Sequence, residues 1–403
     1  MPAASEPFAV ILGLSPTGLY AVRELGRAGI PIAGVAEGVQ CGARSKFLTI
    51  HPVISADESD GSIVERLVSL ARLRQAKGVL IPASDRFIEL VVSHRDRLSE
   101  CYEFQASYSP QAYQSIVDKA RLLDLCRAHD LDYPMYYECD RNRLGTLDDD
   151  LQFPIIVKPA LIHRVKAFMA GRKVLIARTR SEFTDIRAGL PDADTTWLVQ
   201  EIVPGPESNI TLYCAYFDRL GQPHHAFTAR KLRQYVPGFG SASLVLSADL
   251  EETRELSEFI LQKVGFQGIV GTEFKRDPRD GKLKMIEINP RPTLWFGVSY
   301  AAGKRISLAA FRDLTNQPMP PDQKQQDGVL WRYFWKDLYS SSFYKWKRGS
   351  FVLPAPEIGE VLSAKVTMKM GPVFDWSDMA PVYGELSNYA RKLITRLSGP
   401  VKG

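Results

Sequence analysis

Apolar runs and amphipathic stretches alternate along the first hundred residues. FAVILGL, the loop SPTG, the amphipathic LYAVRELGRAG and IPIAGVAE read in succession as strand, turn, helix and strand. FLTIHPV, the helical GSIVERLVSLARLRQ and the apolar GVLIPAS continue the pattern, which predicts a parallel sheet flanked by helices. ASYSP (106–110) interrupts it, and QAYQSIVDKARLLDLCRAHD follows as a helix. The pattern then changes. FPIIVKPA (153–160), KVLIAR (173–178) and WLVQEIVPG (197–205) read as strands around a polar loop and one helix. ITLYCAYFD (210–218) and HHAFTARKLRQY (224–235) add two more strands, and the polar, proline-rich QPMPPDQKQQDG (317–328) reads as a linker.

One pair of strands carries more than a fold signal. GIVGTEF (268–274) and KMIEINPR (284–291) flank Asp-Pro and Asp-Gly turn signals, and a hairpin folded about Asp280 sets Glu273 opposite Glu287. Alternation within KMIEINPR puts Glu287, Asn289 and Arg291 on one face and Ile286 and Ile288 on the other. Facing carboxylates repel and raise each other's pKa unless a cation lies between them. Two carboxylates and an amide oxygen form an all-oxygen set that suits Mg²⁺. The plainer reading is a solvated hairpin face with unrelated charges.

Composition changes this picture little. A chain of 403 residues has room for two or three domains, and 45% hydrophobic with 24% charged residues is ordinary for a globular protein. The net charge of +5 admits anionic ligands without marking a nucleic-acid binder. Five cysteines without Cys-x-x-Cys spacing read as reduced thiols. No signal peptide and no bilayer-long apolar run is legible, so a cytoplasmic protein is expected. GLSPTG (13–18) with Glu37 nearly matches a dinucleotide-binding fingerprint, but Ser15 replaces the middle glycine. A tight turn is the preferred reading there, and a nicotinamide- or flavin-dependent oxidoreductase is the alternative. Ser84-Asp85, at the end of an apolar strand, sit where such sheets place ligands, and read equally as a cap on the helix RFIELVVSH.

Several signals occur in a fixed order: Asp118-Lys119 on a helix, Lys158 within the strand IIVKP, the basic loop HRVKAFMAGRK (163–173), a bend at Pro204-Gly205 with Glu207, and the two hairpin acids. Lysines for phosphates, a mobile loop, a hinge and paired acids describe a Mg-ATP site. The order resembles the ATP-grasp superfamily of carboxylate–amine and carboxylate–thiol ligases over roughly residues 8–300, most specifically in GTEF…MIEINPR. RKLRQYVPGFGSAS (230–243) is similar to the predicted ATP-dependent carboligases that include D-aspartate ligase.

The resemblance implies an α/β and α+β protein. Its parts are a Rossmann-like pre-ATP-grasp domain (1–107), an ATP-grasp domain (108–316) with a lid at about 132–203, and a linker with a C-terminal extension (317–403). It implies that Lys119, Lys158 and Lys166 contact ATP phosphates, that Gln200, Glu201 and Val203 line the adenine edge, and that Glu207 holds the ribose. Glu273, Glu287 and Asn289 would hold one or two Mg²⁺ ions, with Mn²⁺ as a substitute, and Arg291, Arg230 and Lys231 would act on the transferring phosphoryl group. The implied partners are a small carboxylate and an amine, with no nucleic acid; a homodimer is the default assembly. The family's phosphate loop is usually glycine-rich, whereas this one is basic, which leaves a non-catalytic ATP-binding sensor as a further alternative. LWRYFWKDLYSSSFYKWKRGSF (330–351) reads first as core or subunit packing and second as a surface for an envelope or membrane-bound acceptor.

Overall fold

The computed structural model describes residues 6–117, 119–140, 143–147, 151–159, 165–169, 174–191, 196–347, 351–359, 361 and 366–397. Three sheets follow one another along the chain. The first comprises β1 (Phe8–Leu12), β2 (Ile32–Ala36), β3 (Ile54–Ser55), β4 (Gly78–Pro82) and β5 (Tyr102–Glu103), all parallel in the order β3-β2-β1-β4-β5. Strands β1, β2 and β4 are buried along their whole length, which is why they read as continuous apolar runs. The second sheet holds β6 (Tyr136–Cys139), β7 (Ile155–Pro159), β8 (Leu175–Ala177) and β9 (Trp197–Glu201), antiparallel in the order β6-β9-β7-β8. It occupies the stretch read from the sequence as a lid, and that word is kept for it below.

The third sheet is the largest. It contains β10 (Ile210–Phe217), β11 (Pro223–Tyr235), β12 (Ser241–Ser247), β13 (Gly268–Arg276), β14 (Leu283–Asn289), β15 (Val329–Arg332) and β16 (Met368–Met370), in the order β14-β13-β10-β11-β12-β15-β16. Its last two strands come from the stretch expected as a linker and extension. That expectation is corrected: residues 317–328 run along the sheet, with Asp322 accepting from His225 N–H and Lys304 Nζ, both at 2.8 Å, and Gln325 Oε1 accepting from Thr228 N–H at 2.9 Å. A polar, proline-rich composition suits such an edge because its side chains supply the hydrogen bonds that regular pairing would have supplied.

The parallel sheet and the large sheet share a core. Ile11, Leu25 and Val79 belong to one apolar cluster with Trp295, Ile306 and Trp331. Glu24 of the helix Pro16–Arg27 accepts the N–H of Leu308 at 3.0 Å, tying the helix to the start of the helix Ile306–Leu314. Farther along the chain, Arg23 donates to Asp378 Oδ2 at 2.9 Å and to the Val373 carbonyl at 2.8 Å. The five cysteines are all unpaired.

The GLSPTG turn explains its own glycines. Gly13 has φ of 97°, and a Cβ on Gly18 would stand 1.8 Å from the Gly13 carbonyl oxygen. The Leu14 N–H is taken by Gln40 Oε1 and the Leu14 carbonyl by Gly42 N–H. Glu37 pairs with Arg86 at 2.9 Å. Protein groups occupy the backbone and the acid that a dinucleotide would need, so the oxidoreductase alternative loses its basis.

Candidate active site

Strand alternation decides which side chains meet. In β7, Ile155 and Val157 enter the lid core, so Ile156 and Lys158 emerge on the other face. In β9, Trp197 and Val199 point inward and Gln200 outward, and Lys158 Nζ lies 3.4 Å from Gln200 Oε1. Glu201 also borders the cavity beneath the lid, but its carboxylate accepts the Met135 N–H at 3.1 Å and pairs with Arg279. The bend at Pro204-Gly205, where Gly205 has φ of 86°, carries the chain from the lid toward β10.

The hairpin forms as the sequence predicts, with Glu273 of β13 paired directly with Glu287 of β14 and Gly271 with Asn289. One detail is corrected. The register shifts between Glu273 and Phe274, so Ile286 is an extra residue on β14. Leu283, Met285 and Ile288 are buried in the core, while Ile286 lines the cavity beside Glu287. The apolar face of the strand is therefore not the Ile286–Ile288 pair that strict alternation implies.

Lys158, Gln200, Val203, Lys275, Ile286 and the two acids surround a cavity of about 380 Å³ between lid and large sheet. A second cavity of about 350 Å³ opens toward the parallel sheet, bordered by Thr17, Lys231, Asn289, Arg291 and Trp295. Glu273 and Glu287 belong to both, as do Phe239 and Gly240. The carboxylate pair is thus the wall common to two cavities.

Cations bracket this wall. The Lys231 ammonium contacts Glu273 and lies 3.5 Å from Gln234 Oε1. Arg291 grips Asp85 with two parallel hydrogen bonds, Nε at 2.6 Å and Nη2 at 2.9 Å, so the N-terminal domain holds this guanidinium. Lys275 donates to the Val203 carbonyl at 2.7 Å, and burial lowers its pKa to about 8.

Two expected residues lie elsewhere. Arg230 sits on the opposite face of β11 from Lys231 and borders a different cavity with Asp249 and Glu251, so it is not a catalytic partner of the hairpin acids. Glu207 is fully buried and accepts the N–H groups of Gln234, at 2.9 Å, and of Gly238. Burial pushes its pKa up, and these amide hydrogen bonds act against that rise. Its carboxylate holds protein backbone, not a ribose. A bulge in β11 also separates Lys231 from Arg233, which instead binds Asp337 at 2.7 Å. Lys119 and Lys166 begin the helices Lys119–Ala128 and Lys166–Met169, but their side chains lie outside the described residues. Asp118 and most of the basic loop, residues 163–164 and 170–173, also lie outside them.

Sequence reasoning missed Lys275 and the role of Asp85. Lys275 was within reach of the period-two rule, since it follows Glu273 by two residues on the same strand face. The Asp85–Arg291 pair spans 206 residues and leaves no local signal.

Among the described residues no group of three or more His, Cys, Asp and Glu side chains gathers as a metal centre. Two carboxylates and an amide do fit Mg²⁺, which commonly binds through one or two carboxylates and completes its shell with water and phosphate oxygens.

No protein-family model matches the chain. D-aspartate ligase of Enterococcus faecium is 27% identical over 261 residues, covering 61% of this chain and 62% of that protein, so the match spans less than two thirds of the relative's length. Among solved structures, N5-carboxyaminoimidazole synthetase from Staphylococcus aureus complexed with ADP superposes with a TM-score of 0.59 at 14% identity, over 80% of this chain and 81% of that one. The biotin carboxylase domain of Hydrogenobacter thermophilus 2-oxoglutarate carboxylase, with MgADP, ADP and bicarbonate, gives 0.58 at 15% identity over 80% and 73%. L-amino acid ligase from Bacillus licheniformis gives 0.55 at 14% identity over 81% and 78%. At such identities these are likenesses of fold. With the three sheets and the acid-bearing hairpin between them, they give this chain the ATP-grasp fold.

Proposed function

We propose that the chain is an ATP-dependent carboxylate–amine ligase that forms an amide through an acyl phosphate and releases ADP and phosphate. The observation that carries this reading is the Glu273–Glu287 wall shared by two cavities. A nucleotide in the lid-side cavity and a carboxylate in the other would meet there.

Lys158, with Lys119 and Lys166, would hold ATP phosphates, and Gln200 with the backbone of Glu201 to Val203 would border the adenine. Glu273, Glu287 and Asn289 would hold Mg²⁺. Bound there, the ion would neutralise phosphate charge. A carboxylate oxygen of the substrate attacks the γ-phosphorus of ATP, the bond to the bridging oxygen breaks, and ADP leaves. The amine nitrogen then attacks the acyl carbon, phosphate departs and the amine gives up a proton. Such transfer asks the protein mainly for positioning and charge neutralisation. Arg291, held at the wall by Asp85, would stabilise the phosphoryl group and its acyl-phosphate product, and Lys231 would keep Glu273 in place. The likeness to D-aspartate ligase and to L-amino acid ligase supports an amino acid as one substrate, joined to a peptide, cell-envelope or natural-product precursor.

The test is release of ADP and phosphate from Mg-ATP across pairs of amino acids and carboxylates, with Glu287→Gln as control. Release that needs both substrates and disappears in the variant is the expected result. AMP release would replace the acyl phosphate with an adenylate. Tight Mg-ATP binding without turnover on any pair would make the chain a nucleotide sensor.

A further inference from the structure

The helix Phe334–Trp346 has a buried face and an exposed face of unusual character. Its inner side fixes it to β11: Ser340 Oγ donates to the Gln234 carbonyl, and Asp337 accepts from Arg233 at 2.7 Å and from Arg332 at 2.6 Å. A helix packed on a sheet ordinarily turns charged and polar residues to water. Here the outer side carries Phe334, Trp335, Leu338, Tyr339 and Trp346, with Trp335 56% and Trp346 90% exposed. Tyr235 and Val236 at the end of β11 extend this surface, the Tyr235 ring lying 5.4 Å from that of Tyr339.

Charge identifies what covers it. Lys336 places its Nζ 4.1 Å from the Tyr333 ring centre, and Lys345 and Lys347 are exposed near Trp346 in sequence. The helix has one acid, Asp337, and two arginines neutralise it on the buried side. Among the described residues the outer face of the helix therefore combines aromatic rings with lysines, and Glu385, bonded to Tyr333, is the acid at its edge. A second copy docked symmetrically on this face would set lysines against lysines. A partner with an apolar interior and a negative surface satisfies both features at once.

We propose that this face docks in plane on an anionic phospholipid surface, with the rings at headgroup depth and the lysines on lipid phosphates. The helix would lie along the interface over about 20 Å. Among the described residues no helix is long and apolar enough to cross a membrane, so the association is peripheral. Docking would also set β11, which carries Lys231 and Gln234, beside the bilayer. The inference does not depend on the ligase reading, because the test below uses no nucleotide and no turnover.

The full chain is floated with vesicles of phosphatidylcholine alone and with vesicles containing about 30 mol% phosphatidylglycerol. The expected result is salt-sensitive binding to the anionic vesicles only. Trp335→Ser with Trp346→Ser should reduce it at least tenfold, and Lys345→Glu with Lys347→Glu should cost about fivefold or more per lysine. Trp376→Ser, an exposed tryptophan on another segment, should leave it unchanged. These sites are exposed, so unchanged melting curves separate lost docking from lost folding. The proposal fails if the anionic vesicles capture nothing, if the tryptophan variants bind as the parent does, or if phosphatidylcholine alone binds equally. It also fails if those variants turn a dimer into a monomer without affecting vesicle binding, which would make the face a subunit interface.

Discussion

Lys275 links burial at the site to pH. Its folded-state pKa, about 8, lies below the ordinary 10.5. Between those values the unfolded chain binds more protons than the folded one, so this residue makes stability rise with pH. Burial pushes the thiols of Cys41, Cys126, Cys139 and Cys214 up, which opposes this trend in the parent, so the difference is the test: the stability of the parent minus that of Lys275→Met should rise between about pH 8 and 9.5. The hydroxyls of Tyr20 and Tyr213, also pushed up by burial, act alike in parent and variant and cancel in that difference. Parallel pH curves for parent and variant would remove Lys275 from the explanation. The Asp85–Arg291 pair gives a second prediction. Arg291→Lys keeps the charge but not the two-pronged grip, and should lower kcat at least tenfold with little change in the KM for ATP. Asp85 is more than half exposed, so Asp85→Asn should cost under about 1 kcal/mol in stability and act mainly on kcat. A large change in the ATP KM in either variant would place the pair at the nucleotide instead.

At the scale of elements, Glu207 shows how a site loop is held from behind. Its carboxylate receives backbone N–H groups of Gln234 and Gly238, and residues 234 and 238–240 border the lid-side cavity. Glu207→Ala would strand both donors at about 1–3 kcal/mol each, whereas Glu207→Gln keeps an acceptor. Thermal melting should rank them parent, Gln, Ala, with ATP affinity falling in the same order. Equal melting of Ala and parent would show that water replaces the carboxylate. The hairpin was legible because its strands are neighbours in sequence and its turn signals set the register. The bulge at Ile286 was not, since one extra residue alters neither composition nor the turn.

The whole molecule folds back on itself. Strand β15 pairs with β12, Trp331 is buried in the core shared with the parallel sheet, and Asp378 lies against Arg23, Ser45 and Lys46. Deleting the residues after Asn316 would expose that core and leave Arg233 without Asp337. The shortened chain should lose its cooperative melting transition, as followed by calorimetry, because removal of packed aromatics alone costs about 3–5 kcal/mol per side chain. A deletion variant that melts sharply near the parent's temperature would make the segment an independent appendage.

The sequence by itself determined what local periodicity encodes: the parallel sheet of the first hundred residues, Lys158 within an apolar strand, and Glu273 opposite Glu287. Each depends on residues close in the chain, where a period of two or of 3.6 specifies the face of every side chain. Tertiary structure alone decided which faces meet. It gave Arg291 to Asp85, turned Arg230 to another cavity, consumed Glu207 in backbone hydrogen bonds and drew 329–332 and 368–370 into the large sheet. Periodicity says that a face is apolar or charged and nothing about its partner. That choice belongs to packing and charge compensation between segments up to hundreds of residues apart.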